Sequence, residues 1–405
     1  MAEQHTNTKQ KQNYRTHVHS LAMTKLADGL LDPKLVLAWV LTTAGTSALW
    51  IGMLVPVREA GALLPQLLTA EPIRRLPIRK WVWVIGSAIQ GAAAAGIAIS
   101  VVMLTGDTAG VAVVSLLAVL AIARSFTSVS YKDVLGKTIA KDRRGRVSGT
   151  AASLAAVGVL TFGLLLMSGV VDRYLAVVAA LFLAGTLWLL AALRFARLHE
   201  VPSEPVATDP GGVFRQYIQY LRSDRELKRL IITRGLLMAS AIAPPYLILL
   251  AGSAGEQAFG QIGALVVASS LAAFVSGRIW GIFSDRSTAM VLTISGAVAG
   301  VVLLAAVGLA AAGYLLQLAV VPVLLFSLMV AYQGVRIART THLVNIANEN
   351  TRTGYTAISN TIIGVALLGT GLFGVLVPLI SVSGVLILLA IMCFAGALVA
   401  RTLTA

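Results

Sequence analysis

The chain has 405 residues, 57% of them hydrophobic and only 12% charged, with a mean hydropathy of +0.85. A soluble domain carries about 25% charged residues, so half of the usual charged surface is missing and a soluble globular protein is excluded. The formal net charge is +15, and a single cysteine, Cys393, excludes an intrachain disulfide.

Residues 1–17, "MAEQHTNTKQKQNYRTH", are polar and lack the apolar core and small-residue cleavage site of a signal peptide. They read as a disordered cytoplasmic tail. Beyond them come apolar stretches of about 20 residues, enough to cross the ~30 Å hydrocarbon layer as helices. Four lie between Trp81 and Phe195, near 81–103, 109–135, 147–170 and 174–196. Six more follow Leu230, near 231–252, 258–282, 289–312, 314–338, 353–377 and 380–402. The first 80 residues are ambiguous. Hydropathy alone favours one helix from Leu35 to Val57, whereas two helices near 18–43 and 46–70 would put Arg58 and Glu59 of "LVPVREAGALLPQ" in the middle of the second.

Charge distribution and an internal repeat resolve the ambiguity. Basic clusters recur at 74–80, 137–146, 194–229, 281–286 and 336–339. The alternate connections, "TTAGTS", "TGDTAG", "SGVVDRY", "AGSAGEQ", "AAAGYLLQ" and "SVSG", contain Arg173 as their only basic residue. This positive-inside pattern places both termini in the cytoplasm of a plasma (inner) membrane and requires an even number of spans. It also assigns the excess charge to anionic lipid headgroups and leaves no call for nucleic acid. At a shift near 206, "RVSGTAASLAAVGVLTFG" aligns with "RTGYTAISNTIIGVALLG". Near the start of each half a shift of about 211 sets Arg58 and Glu59 opposite Ser269 and Ser270, inside a clearly apolar helix. The expected organisation is therefore a bundle over 18–196, a cytoplasmic linker over 197–230 and a second bundle over 231–405. In the linker, Val213, Phe214, Tyr217, Ile218 and Leu221 share one helical face, the pattern of a helix lying on the membrane surface.

Two six-helix repeats with both termini inside resemble the major facilitator superfamily of secondary transporters. Two motifs add to the resemblance. Gly281-x-x-x-Asp285-Arg286 in "GRIWGIFSDRS" is similar to the family's cytoplasmic loop signature, and its first-half copy keeps only Arg74, Arg75, Arg79 and Lys80, with Glu71 as an approximate acid. Leu120-x-x-x-Arg124 is similar to the family's intramembrane arginine motif, with Thr127 and Ser128 where Gln and Gly usually follow. Helix 5 lacks the proline of the antiporter motif. The resemblance implies an all-α membrane protein of twelve transmembrane helices arranged as two pseudo-symmetric six-helix bundles. It also implies that helices 1, 4, 7 and 10 line a central cavity.

An ionisable group at mid-membrane costs at least about 2.5 kcal/mol and should face water or an opposite charge. Asp32, Arg58, Glu59 and Arg124 fall at middle or inner depth and sum to zero charge. They are the proton-coupling candidates; a bracing ion-pair network and contact with a charged substrate are the alternatives. Lys25 and Lys34 add charge to helix 1. Asp28, Lys132, Asp133, Asp285 and Arg286 are expected as cytoplasmic gate pairs. The second half looks neutral at depth, with Tyr246, Ser269, Ser270, Tyr332, Gln333 and Asn360 as substrate-cavity candidates and Arg336 and Arg339 at the inner end of helix 10. Pro244 and Pro245 could open the backbone of helix 7.

The expected function is a secondary active transporter that moves a small solute by alternating access, coupled to a proton gradient and needing no cofactor or metal. A non-transporting receptor or scaffold and a lipid translocator on the same fold remain as alternatives. An enzyme is not expected, because there is no H-E-x-x-H helix or phosphate-binding loop. The partners expected are a solute and membrane lipid, and the chain is expected to be monomeric.

Overall fold

The computed structural model describes the chain except for residues 1, 67–68, 70–71, 74, 141–142, 203–218, 255–260, 318, 348–350 and 405, and except for the side chains of 2–9, 278, 316 and 352–353. Every regular element among the described residues is helical. The first half comprises α1 (Ala2–Leu31), α2 (Val36–Thr43), α3 (Ala48–Leu63), α4 (Lys80–Met103), α5 (Gly106–Thr138), α6 (Arg144–Ser168) and α7 (Arg173–Ala196). The second comprises α8 (Arg225–Leu237), α9 (Ala239–Ala254), α10 (Ile262–Arg286), α11 (Thr288–Ala311), α12 (Val320–Ile346), α13 (Arg352–Thr370) and α14 (Phe373–Ala400).

Nine helices among the described residues are long and apolar enough to cross a membrane. The broken pair α1–α2, the short α3, and α13 with the first turns of α14 bring the spans to twelve. Ser381 (φ 64, ψ 168) interrupts α14 and separates spans 11 and 12. Arg58 and Glu59 lie within α3.

Span 1 breaks where its sequence requires it. Pro33 has no N–H to donate and cannot continue the ladder. The carboxylate of Asp32 accepts from the Lys34 N–H at 2.7 Å. The Asp32 carbonyl accepts from the Leu37 N–H at 3.1 Å, so the chain restarts as α2 with most of its donors satisfied. In span 7 the interruption falls at Met238, between α8 and α9. Pro244 and Pro245 lie inside α9 and do not divide it.

The expected disordered tail over 1–17 is corrected, because α1 begins at Ala2. Asn13 donates to the His199 carbonyl at 3.0 Å and accepts from the His199 N–H at 3.1 Å. His17 is fully buried, with Nε2 2.7 Å from Thr138 Oγ1 and its ring edge-on to Tyr131 and Phe195. The polarity that suggests a solvated tail instead meets matched partners at the ends of α5 and α7. The linker helix face falls largely outside the described residues, as do Glu71 and Arg74. Of that face Leu221 is described, and it packs against the main core.

The two halves meet at the end remote from the termini and part towards the end that carries them. At the remote end a Cβ on Gly374 would lie 2.5 Å from the Ala48 carbonyl oxygen and 2.7 Å from Leu49 Cα. A Cβ on Gly263 would lie 2.5 Å from the Met167 nitrogen and 2.9 Å from the Gly163 carbonyl oxygen. Only glycine permits backbones to approach so closely. Gly149 and Gly277 lie fourteen residues from Gly163 and Gly263 along α6 and α10, hence on the same helical faces about 21 Å further along. A Cβ at either would have no neighbour within 4 Å. The α6–α10 seam is thus closed at one end and open at the other.

Candidate functional site

The charged groups gather at the break in span 1. One turn before it, Asp28 accepts from Arg58 Nη2 at 2.6 Å. Arg124 Nη1 donates to both oxygens of the same carboxylate. Asp28 therefore joins spans 1, 2 and 4, and the corresponding expectation is corrected: it is the hub of the cluster and not a gate at the membrane face. Arg58 is 10% exposed, Asp28 23% and Arg124 38%, so the hub is open to water on the Arg124 side. A pocket of about 190 Å³ reaches it between α1, α4, α5 and α7, lined among others by Lys25, Gln90 and Thr127. Thr127 and Ser128, where the family motif has Gln and Gly, both line this pocket.

Asp32 and Glu59 do not join the hub. The Asp32 carboxylate is committed to its own turn through the Lys34 N–H. Glu59 is half-buried and makes no hydrogen bond or ion pair among the described residues. The cations acting on it are Lys34, Arg339, Arg58 and Arg124, so its counter-charge comes from both halves of the molecule. Lys34 is 7% exposed, and its ammonium sits 3.6 Å from the ring centroid of Tyr332 on α12. That cation–π contact joins the two halves beside Glu59.

The other gate candidates, Lys132, Asp133, Asp285 and Arg286, make no pair across the opening among the described residues. Asp133 pairs with Arg79 at 3.0 Å, and Lys137 pairs with Glu200 at 2.8 Å. Glu200 also accepts from the backbone N–H groups of Arg79 and Lys80. All these residues belong to the first half, so they bind α4, α5 and the end of α7 to one another and do not bridge the opening. Lys132 is exposed on the wall of the 190 Å³ pocket. Asp285 and Arg286 are exposed and make no hydrogen bond or ion pair among the described residues.

In the second half the expected neutral groups separate. Tyr246 is 1% exposed and belongs to the closed end, where its hydroxyl would lie 2.5 Å from a Cβ on Gly52. Ser269, Ser270 and Gln333 are half-buried without hydrogen-bond partners among the described residues. Asn360 Oδ1 accepts from Arg234 Nη2 at 3.0 Å, and Arg234 Nη1 donates to the Ser359 hydroxyl. Sequence reasoning missed Arg234, which is 6% exposed. Because α8 begins at Arg225, Arg234 lies about 14 Å along it, whereas a hydropathy start near 231 leaves it within the first turn. The repeat gave no signal for it, since the shift of about 211 near the start of each half sets Asp28 opposite Ala239. Among the described residues no group of three or more His, Cys, Asp or Glu could hold a metal ion.

No protein-family model matches the sequence, and no curated protein matches it. Solved structures do. A variant of the nucleoside transporter NupG aligns at TM-score 0.74 and 13% identity, covering 97% of this chain and 100% of that one. A POT family transporter in complex with a thioalcohol-conjugated peptide aligns at 0.72 and 12%, covering 95% and 94%. A D-xylose–proton symporter aligns at 0.69 and 11%, covering 97% and 98%. Likeness over the whole of each chain at such low identity is likeness of fold: the protein has the twelve-helix, two-bundle fold of these transporters, which is the fold that the major facilitator resemblance implies.

Proposed function

We propose that the protein is a secondary active transporter that carries a small solute across the plasma membrane by alternating access, driven by protons. The observation that carries this reading is the α6–α10 seam, closed through Gly163 and Gly263 and open at Gly149 and Gly277. Two halves closed on each other at one end and open at the other form one of the two states that alternating access requires. The basic connections support a cytoplasmic open side, with both termini there. The protein acts as a monomer, since each bundle finds its partner bundle within the chain.

The hub and Glu59 divide the work. Asp28, matched by two guanidiniums, braces spans 1, 2 and 4. Glu59 has no such lock, and two of the cations acting on it, Lys34 and Arg339, come one from each half. Rocking one bundle against the other changes the cations that Glu59 faces. A carboxylate gains a proton more readily when a cation withdraws, and the proton then resides on a Glu59 carboxylate oxygen until the cations return. One of the structural neighbours is a proton symporter by name, and its driving ion is the one proposed here.

The test is flux into proteoliposomes across a solute panel, with and without an imposed pH gradient. Gradient-dependent accumulation of one solute class is the expected result. Flux that ignores the gradient would remove the proton. Binding of a solute with no flux would leave a receptor on a transporter fold.

A further inference from the structure

We propose that the transported solute is an anion, a small carboxylate or phosphate, received by Arg234 and Arg339 of the second bundle and Lys34 of the first. The proposal rests on the transport reading and names its substrate class.

The central groups do not balance in charge. Around the break in span 1, the acids Asp28, Asp32 and Glu59 face the bases Lys25, Lys34, Arg58 and Arg124. In the second half, α8 and α12 add Arg234, Arg336 and Arg339; their one acid, Glu226, lies about two turns before Arg234 and sits 3.3 Å from His342 and 3.8 Å from Arg229. Beyond Leu230 the sequence contains only three acids, Glu256, Asp285 and Glu349. Asp285 is exposed at the end of α10, while Glu256 and Glu349 lie in connections outside the described residues.

Arg234 is the sharpest case. Its guanidinium is held by a hydroxyl and an amide oxygen, Ser359 and Asn360, which orient it without neutralising it. Its buried Nε has no acceptor among the described residues. The neighbouring charge that acts on it is another cation, Arg339, which also acts on Glu59. Arg336 similarly acts on Lys25 across the halves. A fixed cation away from bulk water is costly unless an opposite charge meets it. Guanidinium groups suit that role because they grip carboxylate and phosphate oxygens in pairs. A cationic solute would be repelled, and a neutral one would leave the excess charge standing.

The experiment uses the full-length protein in phosphatidylcholine nanodiscs at constant ionic strength in chloride. Its thermal unfolding midpoint is measured against inorganic phosphate, acetate and citrate, with acetamide and choline as uncharged and cationic controls. The expected result is stabilisation by at least one anion and by neither control. The half-saturating concentration should rise at least about tenfold in Arg234→Gln and in Arg339→Gln, and Arg234→Lys should recover part of it. If Arg234→Gln does not fold, the half-exposed Arg339 carries the test. Stabilisation by none of the three anions, or by anions equally in wild type and Arg339→Gln, overturns the proposal. A response confined to discs containing phosphatidylglycerol, lost in the same variants, keeps the anion and places it on a lipid headgroup. The transport reading is judged separately by proteoliposome flux. Arginine-dependent anion binding without flux would defeat transport alone, and flux of an uncharged solute unaffected by Arg339→Gln would defeat the anion alone.

Discussion

Asp28 and Arg234 each stand three residues before the first helix of their half ends, α1 at Leu31 and α8 at Leu237. One half carries an acid there, met by Arg58 and Arg124; the other carries a base, met by Ser359 and Asn360. The two helices thus hold opposite charges in opposite settings. The acid is more than neutralised, and the buried base is met by neutral groups.

Asp28→Asn leaves two guanidiniums around a neutral amide. Removing one partner of a largely buried ion pair costs about 3 kcal/mol, so the unfolding midpoint should fall clearly and flux should be lost. Adding Arg124→Gln to Asp28→Asn should restore much of the stability, because it removes one of the stranded charges. A double-mutant cycle on the unfolding free energies measures this coupling. Simple additivity of the two losses would count against Asp28 as the brace.

Glu59 and Asp32 give opposite expectations. Asn at position 32 keeps an oxygen able to accept from the Lys34 N–H, so the turn survives and coupled flux should persist, with a stability change within about 1 kcal/mol. Gln at position 59 removes the carboxylate that faces cations of both halves while leaving no hydrogen bond to break. Flux in Glu59→Gln should continue down a solute gradient and stop responding to a pH gradient. Proteoliposome uptake with each variant decides between them. Loss of pH response in Asp32→Asn alone would reverse the assignment.

The twelve-helix fold, its two halves and the placement of Arg58 and Glu59 inside a helix were legible because apolar runs, basic loops and repeated glycines are local or periodic signals. The pairing inside the cluster was not. Asp28 looks peripheral when depth is counted from residue 18, but α1 begins sixteen residues earlier, at Ala2. Arg234 was missed in a similar way, because hydropathy starts a helix only where apolar residues dominate. Asp133 and Asp285 were expected as gates from their position at the membrane face. Which residue opposes a charge across a bundle depends on helix rotation and tilt, which a single sequence does not display.

His17 supplies a prediction for pH outside the membrane spans. Burial against Thr138, Tyr131 and Phe195 lowers its pKa from the usual 6.5 to about 4. The unfolded chain therefore binds more protons at this site between those values, and stability falls as pH drops through that window. The loss should begin near pH 6.5, level off below about pH 4, and reach at most about 3 kcal/mol. His17→Gln should flatten this part of the stability–pH profile. Denaturant unfolding in nanodiscs from pH 4 to 8 measures it, and an unchanged slope in the variant would exclude His17 as the source.

Gly374 tests the conformational cycle itself. A Cβ there would press on backbone atoms of Ala48 and Leu49, which cannot swing aside as a side chain can. Gly374→Val should therefore prevent the remote end from sealing while leaving the six-helix bundles intact, since the contact lies between them. A single cysteine at Ser269, in a Cys393→Ala background, reports the outcome through labelling with a membrane-impermeant maleimide. In right-side-out vesicles the otherwise wild-type protein should label slowly from the outside, and adding Gly374→Val should raise the rate several-fold while abolishing net flux. The variant removes no charge, so its anion-induced stabilisation should persist. If labelling and flux both stay at the wild-type level, the Gly374–Ala48 contact is not the seal that alternating access must open.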